Sequence, residues 1–254
     1  MRLRRRKKPA VATGTMPLTD HLIELRKRIL IAALAVFLCG IVVFVLYNPI
    51  ISFLSGPYQD VTRNAHGCGP KGCDLNFSDP LTPLLVRLKI ALYGGIALSV
   101  PIVMWEIWRF IVPGMNPNER RYAVGFFVGG IVLFLMGCVV AWFTITKALE
   151  FLLGVGGDSL RPLIDANKYL TLVMLMFAAF GFAFEFPLLL IFLLLVGVVN
   201  TRQLRASRRW AAVGITAFAA IITPSQDPFS LLFMAIPLYI FYEGAILLGR
   251  LLKK

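Results

Sequence analysis

The chain has 254 residues, of which 58% are hydrophobic and 15% charged, with a mean hydropathy of +0.79 and a net charge of +13. Such a balance excludes a water-soluble domain built around one core. It also makes the placement of the 26 basic residues more informative than their number.

Apolar runs long enough to cross about 30 Å of hydrocarbon, roughly 20 residues each, occur at 29–47, 84–104, 122–145, 169–199 and 229–248, with a shorter one at 210–222. No segment alternates polar and apolar residues as a barrel strand does, so the spanning elements are helices. Lys and Arg number nine in 1–28, three in 106–121, four in 200–209 and three in 250–254, whereas the intervening segments hold four, three and none. Nineteen against seven is a positive-inside bias. It predicts an all-α integral membrane protein of the cell membrane, with six transmembrane helices, both termini cytoplasmic, and short fifth and sixth spans. Anionic lipid accounts for the basic strip, and no nucleic acid is required. The expected organisation is a basic flexible tail at 1–15, one membrane domain over 16–252 and a basic end at 253–254.

The run from residue 29 is too long for a signal-peptide h-region, so the amino-terminal segment is expected to be retained. Ahead of it, Leu22, Leu25 and Ile29 share one helical face and Asp20, Glu24, Lys27 and Arg28 the others. Thr19 or Asp20 can cap this interfacial helix. Glu24 is spaced to pair with Arg28, and His21 reads as an interface residue. The first outer segment, 48–83, reads as the longest loop. Its C-G-P-K-G-C places Cys68 and Cys73 where a small disulfide can close on an oxidising side; metal binding would have only His66 to add, and none is expected. Cys39 and Cys138 fall inside spans, and Arg87 and Lys89 can snorkel outward.

Between the second and third spans, W-E-I-W-R-F-I-V-P-G-M-N-P-N-E-R-R-Y concentrates charge and aromatics in a short turn broken by Pro113, Gly114 and Pro117. Glu119 is one of four carboxylates on the inner side, with Asp20, Glu24 and Glu106, and can either pair with Arg120 or Arg121 or serve a cationic ligand. Trp105 and Trp108 read as an interfacial belt. The fourth apolar run exceeds one crossing and is interrupted by Glu185 and Pro187, which requires tilt or a kink. Glu185 is either a packing hydrogen bond in the bundle or a polar spot on a transport path. Glu243 raises the same question closer to the surface.

The motifs H-L-I-E-L-R (21–26), S-V-P-I-V-M-W-E-I-W-R-F-I-V-P-G-M-N-P-N-E-R-R (99–121), F-G-F-A-F-E-F-P (180–187), I-T-P-S-Q-D (222–227) and A-I-P-L-Y (235–239) resemble, in order, the TatC family, the multispanning receptor subunit of the twin-arginine protein translocase. The resemblance implies a non-enzymatic receptor that binds arginine-pair signal peptides of folded cargo. It implies that Glu119 and Phe110 recognise the arginine pair with Glu24 and Arg26, and that Glu185 faces a concave groove. Pro57 and Pro101 match family prolines. Asp227 and the last two spans match the region where single-span TatA-type and TatB-type partners dock, within a complex in which the chain is a homo-oligomer. No cofactor is implied. A guanidinium binds a carboxylate through two parallel hydrogen bonds that an ammonium cannot match, so carboxylates suit a receptor preferring Arg-Arg to Lys-Lys. The alternative is a proton-coupled small-solute transporter using Glu185, although no internal repeat supports it. No span carries a nucleophile–base pair or metalloprotease motif, which argues against an intramembrane enzyme.

Overall fold

The structure, a computed structural model, describes residues 18–63, 75–77, 79–111, 123–155 and 164–251. Within them the chain forms α1 (Leu18–Val45), α2 (Tyr47–Thr62), α3 (Thr82–Ile111), α4 (Ala123–Val155), α5 (Ala166–Ala183), α6 (Phe186–Val196), α7 (Thr201–Ala206), α8 (Arg208–Ile222) and α9 (Pro228–Leu251). Among the described residues, five stretches are long and apolar enough to cross a membrane: α1, α3, α4, α5 with α6, and α9. Their outward faces carry large apolar side chains, such as Phe37 at 65% exposure, which only hydrocarbon can cover at no cost.

Side-chain contacts sort the helix ends into two sets. Arg28 in α1 reaches Glu106 late in α3, whereas Arg87 early in α3 reaches Phe44 late in α1, so these two helices are antiparallel. Lys89 early in α3 meets Asn167 and Thr171 early in α5. Trp108 late in α3 packs with Phe126 early in α4 and Phe192 late in α6. Phe151 late in α4 meets Phe229 early in α9, and Arg208 at the start of α8 pairs with Glu243 late in α9. The helices therefore alternate in direction. One end gathers Arg26, Lys27, Arg28, Arg109, Arg202, Arg205, Arg208, Arg209 and Arg250.

Small residues set how closely the helices approach. A Cβ added at Gly95 in α3 would lie 2.7 Å from the Gly40 Cα of α1, so the two backbones touch there; one at Gly137 in α4 would lie 2.6 Å from the Phe180 carbonyl oxygen of α5. Without a hydrophobic drive between helices in lipid, such contacts supply dispersion energy over the whole crossing. The core beneath them is continuous and includes Ile90, Ile145, Met176, Phe180, Phe184 and Leu238.

The expected break at Glu185 is present. The fourth run is helical to Ala183, turns at Phe184 and Glu185, and resumes at Phe186 with Pro187 in its first turn, where a missing N–H costs nothing. Gly197, with φ of 79°, ends α6, and an Asn200–Gln203 capping box starts α7. At 15 residues α8 spans about 22 Å and is short, as expected. The last span is not short: α9 has 24 residues, because its helix begins at Pro228 and passes through Pro237 without ending. A second correction concerns 48–83, read as a loop. Its first part is α2, whose interior Pro57 is buried beside Tyr58, and the Tyr169 hydroxyl donates to the Leu54 carbonyl at 2.8 Å. Packing against α5 overrides the Gly-Pro turn signal. Arg87 and Lys89 do not snorkel free but bond to protein acceptors.

Candidate functional site

At the basic end, the start of α1 meets the end of α3. Glu24 precedes Arg28 by one helical turn, the favourable order for such a pair, and Arg28 Nη2 donates to Glu24 Oε1 at 2.6 Å. The close Gly40–Gly95 crossing carries α3 past the same guanidinium, and Arg28 Nη1 donates to Glu106 Oε2 at 2.8 Å. Two carboxylates thus share one guanidinium, leaving a formal negative charge inside a cationic rim. The Glu106 side chain is 9% exposed and that of Glu24 23%, so Glu24 is the carboxylate open to a ligand. Beside them His21 stacks on Phe110, ring centroids 4.3 Å apart. A cavity of about 470 Å³ opens here, lined by Ile23, Glu24, Lys27, Arg28, Ile31 and Arg109. Its lining sets one carboxylate, Glu24, and two apolar side chains, Ile23 and Ile31, among three cations, so Glu24 is the side chain in it that can accept from a guanidinium.

Among residues singled out from the sequence, the structure thus brings together Glu24, Phe110 and His21. Arg26 is exposed and lines an adjoining shallow groove with Leu30 and Leu34. Glu119, with Pro113, Gly114, Pro117, Arg120 and Arg121, lies outside the described residues, as do His66, Cys68 and Cys73. Trp105 is exposed, as a belt residue is, but Trp108 is not: it is buried against Phe126 and Phe192 in a small aromatic cluster. The joining of Arg28 to Glu106 was missed from the sequence. The available signal was that Glu106 is the lone acid at the end of its apolar run, at the depth of the Glu24–Arg28 turn.

Glu185 occupies the turn between α5 and α6. Both carboxylate oxygens are buried and have no hydrogen-bond partner among the described residues. They face Gly130 of α4, where an added Cβ would stand 3.4 Å from Glu185 Oε2 and 3.4 Å from the Met104 sulfur. Pro101 lies inside α3, on its exposed side, and the helix continues through it. Asp227 is buried and accepts the Ser230 amide at 2.8 Å, capping α9. Burial works against its charge, yet the neighbouring Ser225 and Ser230 groups hold its carboxyl below the usual aspartate range. Glu243 is paired with Arg208 rather than isolated.

A sequence model of the family described as "Sec-independent protein translocase protein (TatC)" matches residues 20–237. The TatC of Frankia casuarinae is 39% identical over 250 residues, covering 97% of this chain and 69% of that one. The TatC of Aquifex aeolicus is 34% identical over 243 residues (93% and 95%), and that of Escherichia coli K12 32% over 240 (93% and 89%). A crystal structure of a twin arginine translocase receptor, TatC, superposes with a TM-score of 0.76 at 32% identity over 92% of this chain and all of that one. A multispanning helical bundle with this order of motifs, matched along most of its length, belongs to the TatC family of Sec-independent protein translocase proteins.

Proposed function

We propose that this chain is the receptor of a twin-arginine export system, capturing Arg-Arg signal peptides at a cytoplasmic basic end and, with single-span TatA-type and TatB-type subunits, supporting transport of folded proteins. As a translocase subunit it is a transport protein and not an enzyme. The observation that carries the reading is the Glu24–Arg28–Glu106 triad, whose Glu24 and Arg28 line the 470 Å³ cavity. An incoming guanidinium finds there the partly exposed Glu24 carboxylate, with Ile23 and Ile31 beside it for the adjoining peptide and Lys27 and Arg109 to repel cations that cannot bond it in parallel. Glu119 and Arg26 complete the site, the former by its match to the family's acidic residue. The basic end faces the cytoplasm by the charge bias, which orients α8 as a sixth, short crossing and leaves both termini inside. Pro57, Pro101, Asp227 and the short α8 belong to the framework on which the single-span partners dock. Anionic lipid lies against the basic end, and several copies assemble in the complex.

Replacing Glu119 by Ala is expected to reduce photocrosslinking of an arginine-pair signal peptide by on the order of tenfold, with membrane insertion unchanged, because a charged hydrogen-bond acceptor is lost. Undiminished crosslinking would remove Glu119 from the site.

Glu185 is assigned to the transport groove. A carboxyl buried with no hydrogen-bond partner among the described residues is costly in a membrane and is kept where a later partner meets it. Glu185→Ala is therefore expected to leave peptide docking within twofold and to lower transport several-fold. Unchanged transport with a changed melting temperature would make Glu185 a packing residue only.

A further inference from the structure

At the opposite end of the bundle, two cations near the start of α3 have no acid partner among the described residues. Arg87 lies over the rings of Phe44 and Tyr47, 4.3 and 5.1 Å from their centroids, so its charge is covered by two aromatic faces. Lys89 is held differently. Its ammonium donates to Asn167 Oδ1 at 2.8 Å and Thr171 Oγ1 at 3.0 Å, both neutral, and among the described residues no carboxylate stands within ion-pair distance. A half-buried ammonium has three donors, so one remains for an anion, and its charge is little screened.

One helical turn from Lys89 lies Tyr93, and one turn from Thr171 lies Met174; both line a cavity of about 270 Å³ between α2, α3, α4 and α5. Its walls are apolar apart from Tyr93 and the thiol of Cys138. Phe53 and Phe182, 57% and 53% exposed, flank its mouth, so it opens on the surface that faces hydrocarbon. A helix with side chains is about 10–12 Å across and does not fit such a slot. A single flexible chain does. Passing from bilayer to cavity, that chain exchanges one apolar surrounding for another, so selectivity must come from the group beside Lys89.

We propose that this cleft binds an anionic phospholipid from the leaflet at the α2 end, with one acyl chain in the cavity and the phosphate paired to the Lys89 ammonium. The site is independent of the peptide-binding reading, since it lies at the other end of the molecule.

The test is native mass spectrometry of the full chain, with phosphatidylglycerol or phosphatidylcholine of identical acyl chains. Phosphatidylglycerol should be retained preferentially. Lys89→Gln keeps a side-chain donor for Asn167 and Thr171 while removing the charge, and should weaken retention about fivefold; Ala97→Phe, which fills the cavity, should weaken retention of both lipids. Cys138, as the sole cysteine, should be shielded from a membrane-soluble maleimide by phosphatidylglycerol vesicles alone. Equal retention of the two lipids, unchanged retention in Lys89→Gln, or displacement by inorganic phosphate would overturn the proposal. Shielding of Cys138 only on adding a signal peptide or a second copy of the chain would overturn it too, assigning the cleft to that occupant.

Discussion

Gly95→Leu is expected to be the most damaging single substitution in the membrane domain. The first side-chain atom alone would stand 2.7 Å from Gly40 Cα, 2.8 Å from Gly40 N and 3.0 Å from the Val36 carbonyl oxygen, all of them backbone that cannot rotate aside. α1 must be displaced from α3 along their longest shared seam, at a cost of about 3 kcal/mol or more, the upper range for overpacking. The displacement also draws Arg28 away from Glu106, so signal-peptide capture should fall together with stability. Thermal unfolding in detergent measures the first effect and peptide crosslinking the second. Gly125→Leu is the control, since nothing lies within 4 Å of a Cβ there, and it should melt within a few degrees of the parent. Equal melting of Gly95→Leu and the parent would refute the close crossing.

Arg28→Ala is expected to spoil discrimination more than attraction. With the guanidinium gone, Glu24 and Glu106 no longer share a donor, and the carboxylates lose the two bonds that fix their planes. The site becomes more negative but less ordered. A compact ammonium gains from charge alone, whereas a guanidinium needs oriented oxygens to make parallel bonds. The ratio of Arg-Arg to Lys-Lys peptide capture should therefore drop by on the order of tenfold, chiefly through better capture of the lysine peptide. Competition crosslinking between the two peptides measures the ratio. A preserved ratio would make the triad a structural clamp with no part in selection.

Much of this was legible in the residues. Runs of apolar residues gave the long spans, Glu185 with Pro187 gave the break between α5 and α6, and the mere 13 residues between Arg209 and Thr223 gave a short α8. Glu24 and Arg28 were readable as a pair because their spacing is one turn. What was not legible depends on residues distant in the chain. Arg28 and Glu106 are 78 positions apart, and nothing local announces that they meet. Y-N-P-I-I-S-F-L-S-G-P-Y carries two prolines and a glycine, which signal a loop; its helical state rests on burial of Tyr58 against Tyr169. Trp108 looks like a belt residue until Phe126 and Phe192 close over it. Gly40 and Gly95 are two of 21 glycines, and only the crossing of their helices singles them out.

A receptor for cytoplasmic signal peptides must present its acidic cluster on the inner side of the membrane. Asn116→Cys, in a chain with Cys68 and Cys73 changed to Ser, places a thiol in the segment joining α3 to α4. A membrane-impermeant maleimide added to intact cells should leave it unlabelled and should label it in inverted vesicles. Labelling in intact cells would put Glu24, Glu106 and Phe110 on the outer face, where no signal peptide arrives from the cytoplasm, and would contradict the receptor reading.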